Sequence, residues 1–266
     1  MSTAMETLQV REAAGVWHVT LSRPESRNAM SLQMVRELRD VLRQAEAAPG
    51  SRAIVLRGAG GHFCSGGDLR DMAAARARLD EGGDPLAEVS AAFGELCVAY
   101  AGTGLAVVAV LEGTVMGGGF GLACVADVAI AGQSAVFRLP EASLGVVPAQ
   151  IAPFLVERLG PSQARRLAVT GGKLDADAAL RLGLVHEVHA SGALDSALAD
   201  VLHQILQNAP GAVAETKRLM ARARWQAAGE LIRDAAATFS RAALGPEGLE
   251  GTTAFLQKRK PSWAPT

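Results

Sequence analysis

Two glycine-dense stretches constrain the fold of this chain more than any other feature. They read FCSGGDL at residues 63–69 and GTVMGGGFGLACVAD at residues 113–127, and each leads from an apolar, strand-like run into a helix-like segment. A turn at a helix N-terminus leaves backbone N–H groups unpaired at the positive end of the helix dipole, where they can hold an anion. The two stretches therefore predict an α/β chain in which two turns can each donate an N–H group.

The rest of the N-terminal part shows the same alternation of strands and helices. Short β-like runs occupy residues 15–22, 52–58, 104–113, 125–132 and 135–140, with amphipathic helix signals between several of them. The segment from Ser31 to Ala47 places apolar residues on one face, and Ser31 stands where an N-cap is expected. This pattern predicts an α/β fold in which that helix packs on the core.

The C-terminal part has a different character. Beyond about Leu194 the β signal disappears, and successive helices are interrupted at residues 208–211 and near residues 245–246, where Pro and Gly occur. We therefore predict two parts: a core over residues 1–193 and a helical C-terminal subdomain over residues 194–266.

Composition and charge narrow the range of partners. The chain has 266 residues, 49% of them hydrophobic, which is enough for one large core. A formal net charge of -1 provides no basic surface for nucleic acid and no polybasic membrane anchor. The longest apolar run, residues 105–111, is too short to span a bilayer, and the N-terminus lacks a signal-peptide pattern. We expect no nucleic-acid or membrane partner.

The cysteines bear on the compartment and on metal binding. The chain carries three of them, Cys64, Cys97 and Cys124, without a CxxC pair. This set argues against a disulfide framework and against a structural zinc site. We expect a protein of the reducing cytoplasm with no bound metal.

Three common uses of glycine-rich turns do not fit. A phosphate-binding P-loop needs Lys and Ser or Thr after its last glycine, whereas Gly118 is followed by Gly119 and Phe120. A dinucleotide fingerprint starting at Gly117 would need its third glycine at Leu122, and no G-x-S-x-G nucleophile motif occurs. An isolated Gly-Gly pair usually marks only a tight turn, but two such turns could each aim one N–H at a single carbonyl oxygen. That arrangement is an oxyanion hole.

Five stretches carry a resemblance to a known family over nearly the whole chain. The enoyl-CoA hydratase/isomerase, or crotonase, superfamily has similar landmarks in the same order. They are RPESRNAMS (23–31), FCSGGDL, MGGGFGLACVAD, FRLPEASLGVVPAQIAPF (137–154) and AFLQKRKPSW (254–263). The resemblance implies a crotonase-like spiral of ββα repeats, followed by C-terminal helices that assemble homotrimers or dimers of trimers.

The resemblance also implies a substrate and a site. The substrate would be an acyl-CoA thioester, whose coenzyme A is part of the substrate, so no separate cofactor is implied. Gly67 and Gly118 would supply the two oxyanion N–H groups. Coenzyme A would lie near Arg27, Ala29 and Arg70. At a neighbouring subunit's coenzyme A, the ring of Phe255 and the ammonium group of Lys258 would complete the site.

The sequence departs from the usual hydratase pattern at one catalytic position. Typical enoyl-CoA hydratases carry one glutamate shortly after the glycine triplet and a second in a later Pro-Glu pair. Here the first position is Gly121, and only Glu141, preceded by Pro140, remains. A single carboxylate must both activate water and deliver a proton, or share the work with substrate or water. This departure argues against ordinary hydration of crotonyl-CoA.

A finer resemblance within the superfamily indicates the acyl group. RNAMSLQMV, LPEASLG, PAQIAPF and QKRKPSWA are similar to isohexenylglutaconyl-CoA hydratases, which act in acyclic terpene breakdown. The 3-methylglutaconyl-CoA hydratases of leucine degradation come next. Both groups add water to a β,β-disubstituted double bond in a substrate that bears a distal carboxylate. Two alternatives remain open: a Δ3-Δ2 enoyl-CoA isomerase, which needs one carboxylate, and a noncatalytic CoA-ester-binding scaffold.

The remaining titratable residues have simpler interpretations. His186 and His189 alternate along a probable strand and lack the HExxH pattern, so we expect structural or exposed roles. His62 lies beside the first glycine turn, where a loop histidine without a function is expected, although it could touch coenzyme A. We expect Asp127 to be a structural carboxylate at a helix-to-strand junction.

Overall fold

A computed structural model describes residues 5–79 and 83–265. The strands are β1 (Leu8–Ala13), β2 (Val16–Leu21), β3 (Ala53–Gly58), β4 (Ala106–Leu111), β5 (Thr114–Met116), β6 (Val128–Gly132), β7 (Val136–Arg138), β8 (Lys173–Asp175) and β9 (Glu187–His189). The helices are α1 (Leu32–Ala47), α2 (Leu69–Ala77), α3 (Pro85–Gly102), α4 (Gly118–Val125), α5 (Ala152–Thr170), α6 (Ala176–Arg181), α7 (Leu194–Leu206), α8 (Pro210–Ala223), α9 (Ala228–Leu244) and α10 (Pro246–Leu256).

The strands form a large and a small sheet. The large sheet has the order β1-β2-β3-β4-β6-β9 and is parallel except for the antiparallel pair β1–β2. The small sheet has the order β5-β7-β8. Strand β4 of the large sheet is followed by β5 of the small sheet and then by α4. In the same way, β6 of the large sheet is followed by β7 of the small sheet and then by α5. This is the predicted spiral of ββα turns, and the α/β crotonase-like fold is confirmed.

The predicted elements coincide with observed ones. All five β-like runs contain a strand, and α1 begins directly after Ser31, whose side chain accepts a hydrogen bond from the Met34 N–H at 3.1 Å. The buried face of α1 includes Met34, Leu38 and Val41, as its periodicity predicts. Strands β1, β5 and β8 were not predicted. Most residues of β1 are exposed, so it lacks a clear alternation of buried and exposed positions, and β5 and β8 have only three residues each.

The two faces of the large sheet are covered differently. On one face, residues such as Val107 and Ala109 of β4 join the main core with α1, α3, α4 and α5. On the other face, Val108 and Ile130 pack against the buried side of α7. The glycine-rich segments lie on the first face, because α4 belongs to that core.

The C-terminal helices follow the predicted breaks. Helix α7 ends at Leu206 and α8 begins at Pro210, while α9 ends at Leu244 and α10 begins at Pro246. A further break at residues 224–227 separates α8 from α9. Helix α7 packs on the large sheet. The division of the chain into two parts near residue 194 stays a prediction. None of the described helices is both long and apolar enough for a membrane crossing.

Candidate active site

The two glycine turns are joined by backbone hydrogen bonds. The Cys64 N–H donates to the Thr114 carbonyl at 3.0 Å, and the Met116 N–H donates to the Cys64 carbonyl at 2.9 Å. These bonds form a short parallel bridge that continues β5. Beyond this bridge the two segments of the chain stay close: a Cβ added to Gly117 would lie 3.3 Å from the Gly66 Cα. Segments some fifty residues apart in sequence are thereby held at one place.

Both turns need glycine for conformational reasons. Gly66 has φ 102°, and Gly117, the N-cap of α4, has φ 47° with ψ -116°. Residues with a Cβ rarely adopt such positive φ values. These backbone conformations set the direction of the peptide groups that follow, namely those of Gly67 and Gly118.

The amides of Gly67 and Gly118 are free to bind a ligand. Met30 pairs with the neighbours of Gly67: its N–H donates to the Gly66 carbonyl at 2.7 Å, and its carbonyl accepts from the Asp68 N–H at 2.9 Å. The Gly67 N–H therefore points away from Met30. Gly118 is the first residue of α4, where an N–H has no partner within the helix. Neither amide donates to another residue in the described part of the chain.

The space over the first amide is open. A Cβ added to Gly67 would meet no described atom within 4 Å, whereas one added to Gly118 would lie 3.3 Å from Cζ of Phe93. Packing against protein atoms does not require glycine at residue 67. Gly67 is itself exposed, so its backbone is accessible from solvent.

Glu141 is the carboxylate beside these turns. It begins a short 3-10 turn, residues 141–144, after β7, and its Oε1 would lie 3.1 Å from a Cβ added to Gly117. Its Oε2 is buried and has no hydrogen-bond partner among the described residues. Burial raises the pKa of Glu141, and a hydrogen bond with its own backbone opposes this only in part. A buried carboxyl with a free oxygen and a raised pKa suits proton transfer.

Position 121 cannot hold a second carboxylate in this packing. A Cβ added to Gly121 would lie only 2.4 Å from Cγ2 of Ile151 and 3.4 Å from Cζ of Phe93. Ile151 is buried, so it has no free space to move into. Apolar side chains therefore fill the volume beside α4 where a two-glutamate site would place its other acid.

An ion pair anchors the first turn to the preceding loop. The Arg23 guanidinium donates to the Asp68 carboxylate at 2.8 Å and to the Ala29 carbonyl at 2.7 Å. Asp68 also caps α2 by accepting from the Arg70 N–H at 2.9 Å. Burial alone would raise the pKa of Asp68, but the hydrogen bonds from Arg70 and Arg23 outweigh it and lower the pKa. This network fixes the loop on which Gly67 lies.

Three of the residues expected at coenzyme A lie around this turn. Arg27 is exposed with φ 51°, and its carbonyl accepts from the Ser65 N–H at 3.0 Å, so it borders the first glycine turn. Ala29 is buried beside it. Arg70 is exposed in the first turn of α2, two residues after Asp68. Their places are compatible with a ligand along this edge, and their role in binding stays a prediction.

The other two lie at the end of α10. Phe255 is 83% exposed, and Lys258 is exposed with φ 54°. In the described part of the chain, no hydrogen bond or ion pair involves either side chain. The tail after them is held in place by ion pairing of Arg259 with Glu250 and by the Trp263 indole, which donates to the Gln207 carbonyl at 3.0 Å. Both residues are therefore exposed at the end of α10, and their contact with a neighbour's coenzyme A stays a prediction.

The four residues given simpler interpretations are occupied by structural contacts. Nδ1 of His62 accepts from the Thr114 N–H, and Nδ1 of His186 accepts from the Ala129 N–H. Nε2 of His189 lies 2.7 Å from Oε2 of Glu187, two residues earlier in the same strand. The Asp127 carboxylate accepts from the Val107 N–H at 2.7 Å and from Nζ of Lys217 at 2.6 Å. The structural interpretation of Asp127 is confirmed.

Sequence reasoning missed the apolar side chains that line the second glycine turn. Phe93 on α3 lies against both Gly118 and Gly121, and Ile151 lies beside Phe93. Next to them, the Gln150 carboxamide covers Gly94 and donates to the Ser90 hydroxyl at 3.1 Å. The only sequence signal was Gly94, a helix-weakening residue inside an otherwise regular helix.

Comparisons with known proteins agree with this geometry. The chain matches the enoyl-CoA hydratase/isomerase family over residues 11–265. It is similar to the solved structure of Pseudomonas aeruginosa AtuE, with a TM-score of 0.94 and 52% identity over 98% of this chain and 100% of that one. An enoyl-CoA hydratase/isomerase from Marinobacter aquaeolei gives a TM-score of 0.93 and 49% identity, again over 98% and 100%. A carnitinyl-CoA dehydratase from Proteus mirabilis is 32% identical over 97% of this chain and 98% of its own length. With its spiral fold and its paired glycine turns, the chain belongs to the enoyl-CoA hydratase/isomerase family.

Proposed function

We propose that this protein is an acyl-CoA hydratase that adds water to the double bond of a branched glutaconyl-CoA, with isohexenylglutaconyl-CoA of acyclic terpene degradation as its substrate. The observation that carries the proposal is the lone Glu141. It lies beside two free oxyanion amides, and apolar side chains occupy the space of a second acid.

The proposed chemistry uses one carboxylate twice. The ionised Glu141 accepts a proton from water while the water oxygen bonds to the β carbon. The double-bond electrons then move onto the thioester oxygen, forming an enolate that the N–H groups of Gly67 and Gly118 stabilise. The protonated Glu141 next delivers a proton to the α carbon, which restores both the thioester and the carboxylate. A raised pKa makes Glu141 a stronger base for the first step.

The branched substrate is supported by sequence and by the shape of the site. The stretches RNAMSLQMV, LPEASLG, PAQIAPF and QKRKPSWA are similar to those of isohexenylglutaconyl-CoA hydratases. Phe93 and Ile151 form an apolar wall next to Gly118 and Gly121, which suits an apolar branch on the β carbon. The 3-methylglutaconyl ester, which has a smaller branch, is the nearest alternative substrate.

A second candidate, Δ3-Δ2 enoyl-CoA isomerisation, is favoured by the same lone carboxylate. In that reaction Glu141 would move one proton between carbons without adding water, and the same amides would hold the dienolate.

A turnover screen in ¹⁸O-labelled water separates these functions. Isohexenylglutaconyl-, 3-methylglutaconyl- and crotonyl-CoA, together with a Δ3-enoyl-CoA, are incubated with the wild-type enzyme and with Glu141→Gln, and the products are identified by mass spectrometry. We expect a labelled tertiary alcohol from the glutaconyl esters, fastest with the isohexenyl substrate, and almost none with Glu141→Gln. If the main product is an unlabelled positional isomer, the enzyme is an isomerase and not a hydratase. Binding of these esters without any turnover would favour the noncatalytic scaffold.

The assembly and the ligand contacts belong to the same proposal. We infer a homotrimer or a dimer of trimers in the cytoplasm, in which Phe255 and Lys258 of one chain reach the coenzyme A bound by a neighbour. Arg27 and Arg70 are exposed at the edge of the first turn, where phosphate groups could reach them. The large apolar side chains exposed on α8–α10 support the assembly, because isolated chains rarely leave so many in water.

A further inference from the structure

Helix α3 presents polar residues next to the apolar wall of the site. Ser90, Phe93 and Gly94 lie three and four residues apart, so they share one face of the helix. Phe93 lies over Gly118, whose N–H is one of the two free amides. Ser90 is one turn away, about 4.5 Å along the helix axis. A polar group is therefore held one helical turn from the residue that packs against Gly118.

Gly94 leaves space on α3 that the Gln150 carboxamide occupies. A Cβ added to Gly94 would lie 2.1 Å from Oε1 of Gln150, so any other residue at this position would displace the Gln150 side chain. A glycine inside a helix costs up to about 1 kcal/mol relative to alanine. Gln150 is also fixed from the other side, since Ile151, the next residue, fills the space beside Gly121.

The polar pair keeps unused hydrogen-bond donors. Nε2 of Gln150 donates one proton to Oγ of Ser90 at 3.1 Å. The second Nε2 proton and the Ser90 hydroxyl proton have no acceptor among the described residues. Two neighbouring donors on a half-buried surface match the two oxygens of a carboxylate.

Distances along the substrate fit the same interpretation. In a glutaconyl thioester, four carbon–carbon bonds of about 1.5 Å separate the thioester carbon from the distal carboxylate, a span of roughly 5 Å. This is close to the rise of about 4.5 Å that separates Phe93 from Ser90 along the helix axis.

We propose that Gln150 and Ser90 are the specificity-determining residues for the distal carboxylate of the acyl group. The inference rests on the proposed function for the identity of the substrate, but it can be measured without turnover. A carboxylate at this end of the acyl group would receive hydrogen bonds from Gln150 and Ser90, while an acyl group that ends in a methyl would leave them unpaired.

The test measures binding of two unreactive esters by calorimetry: glutaryl-CoA, with the distal carboxylate, and butyryl-CoA, without it. The wild-type enzyme is expected to prefer glutaryl-CoA by about 10- to 100-fold, the range for hydrogen bonds to a charged group. Gln150→Met keeps the side-chain length but removes the donors, so the preference should fall to near unity. Gly94→Ala should have the same effect by displacing Gln150, and Ser90→Ala should remove part of it.

Gln204→Met, on the exposed side of α7 beyond the opposite face of the large sheet, is the matched control and should keep the wild-type preference. No preference in the wild-type enzyme, or an unchanged preference in both Gln150→Met and Gly94→Ala, overturns the inference even if glutaconyl esters are hydrated. A preference that disappears in these variants supports it even if the enzyme proves to be an isomerase.

Discussion

Glu141 shows how one side chain acquires its chemistry from its surroundings. A glutamate on an exposed turn would be ionised and solvated, with an ordinary pKa. Here one carboxyl oxygen is buried and has no hydrogen-bond partner in the part of the chain that the structure describes, and burial raises the pKa of the group. This cost falls beside the amides of Gly67 and Gly118, which is where the proposed hydration needs both proton transfer and charge stabilisation.

Replacing Glu141 tests its proposed role directly. Glu141→Gln keeps the shape but cannot transfer a proton, so kcat should fall by about 10²–10⁴-fold. Binding of a CoA ester should persist, because the proposed oxyanion amides of Gly67 and Gly118 belong to the backbone. Steady-state kinetics and calorimetry measure the two effects. A variant that is folded and turns over at the wild-type rate would remove Glu141 from the mechanism.

The pH dependence of the rate follows from the same residue. The raised pKa means that Glu141 becomes ionised at a higher pH than an ordinary glutamate, whose pKa is 4.5. If the ionised form is the base, kcat/KM should fall as the pH drops through this raised pKa. A profile recorded from pH 4 to pH 9 should therefore show an acidic limb with an apparent pKa above 4.5. A rate that stays constant down to pH 4.5 would contradict this assignment.

Gly121 tests how tightly the apolar wall is packed. In Gly121→Ala the new Cβ would lie 2.4 Å from Cγ2 of buried Ile151, so the core must shift. Overpacking of this kind costs about 1–3 kcal/mol of unfolding free energy. Gly229→Ala is the control: it also lies in a helix, but its Cβ would meet no atom within 4 Å. Urea unfolding should show a loss for Gly121→Ala only.

The buried Glu37 carboxylate connects α1 to the residues just before β1. Glu37 lies on the core-facing side of α1, and its carboxylate accepts from the N–H groups of Glu6 and Thr7 and from the Thr7 hydroxyl. Burial by itself would raise the pKa of Glu37, but these hydrogen bonds and one from Gln33 outweigh it, and the pKa is lowered. An edge strand with mostly exposed residues is thereby attached to a buried helix.

Glu37→Gln should weaken this attachment in a pH-dependent way. Because the folded pKa is below the unfolded one, the stabilisation is fully present above the unfolded pKa and is lost as the pH falls through the folded pKa. At pH 7 the substitution should cost about 1–3 kcal/mol, since a charged acceptor is replaced by a neutral one. Urea unfolding of both proteins at pH 7 and pH 3.5 should show a smaller difference in acid. An equal difference at both values would mean that the charge is not responsible.

At the level of the whole molecule, the C-terminal helices expose much apolar surface. The exposed residues, each more than half accessible, are Met220, Trp225, Ile232, Phe239, Leu244, Leu249, Phe255 and Leu256. Such a surface is typical of contacts between subunits.

A charge placed on α9 tests the proposed assembly. Ile232 and Phe239 are seven residues apart on one face of α9 and are 66% and 75% exposed. Sedimentation of the wild-type protein should give three or six times the mass of one chain. The double substitution Ile232→Glu and Phe239→Glu should lower this mass. Arg233→Glu changes the net charge by the same amount without removing apolar area, so it should leave the assembly intact. A wild-type monomer at full activity would contradict the proposal.

Lys258 connects the assembly to ligand binding. If its ammonium group reaches the phosphates of a neighbour's coenzyme A, Lys258→Ala should raise the Kd for CoA esters, and the effect should shrink as salt is added. The rate at saturating substrate should change little, because the residue does not touch the reacting atoms. Affinities of the wild type and the variant at two salt concentrations measure this. Unchanged affinity would leave the tail as a solvated extension.

The sequence by itself determined features that have local causes. Strands β2, β3, β4 and β6 and the helix capped by Ser31 could be predicted because periodicity and capping act over a few residues. The two glycine turns could be found because positive φ values favour glycine. The family, and the survival of Glu141 alone, followed from motifs in order along the chain.

Only the tertiary structure decided how these parts meet. The bonds of Cys64 to Thr114 and Met116 bring the turns together, and any residue except proline could donate them because they use the backbone. The three-residue strands β5 and β8 exist only beside their partners and carry no periodicity of their own. Burial of Glu141, the filling of position 121 by Ile151, and the pairing of Gln150 with Ser90 join residues distant in sequence. Such contacts depend on packing in three dimensions, which leaves no regular spacing along the chain.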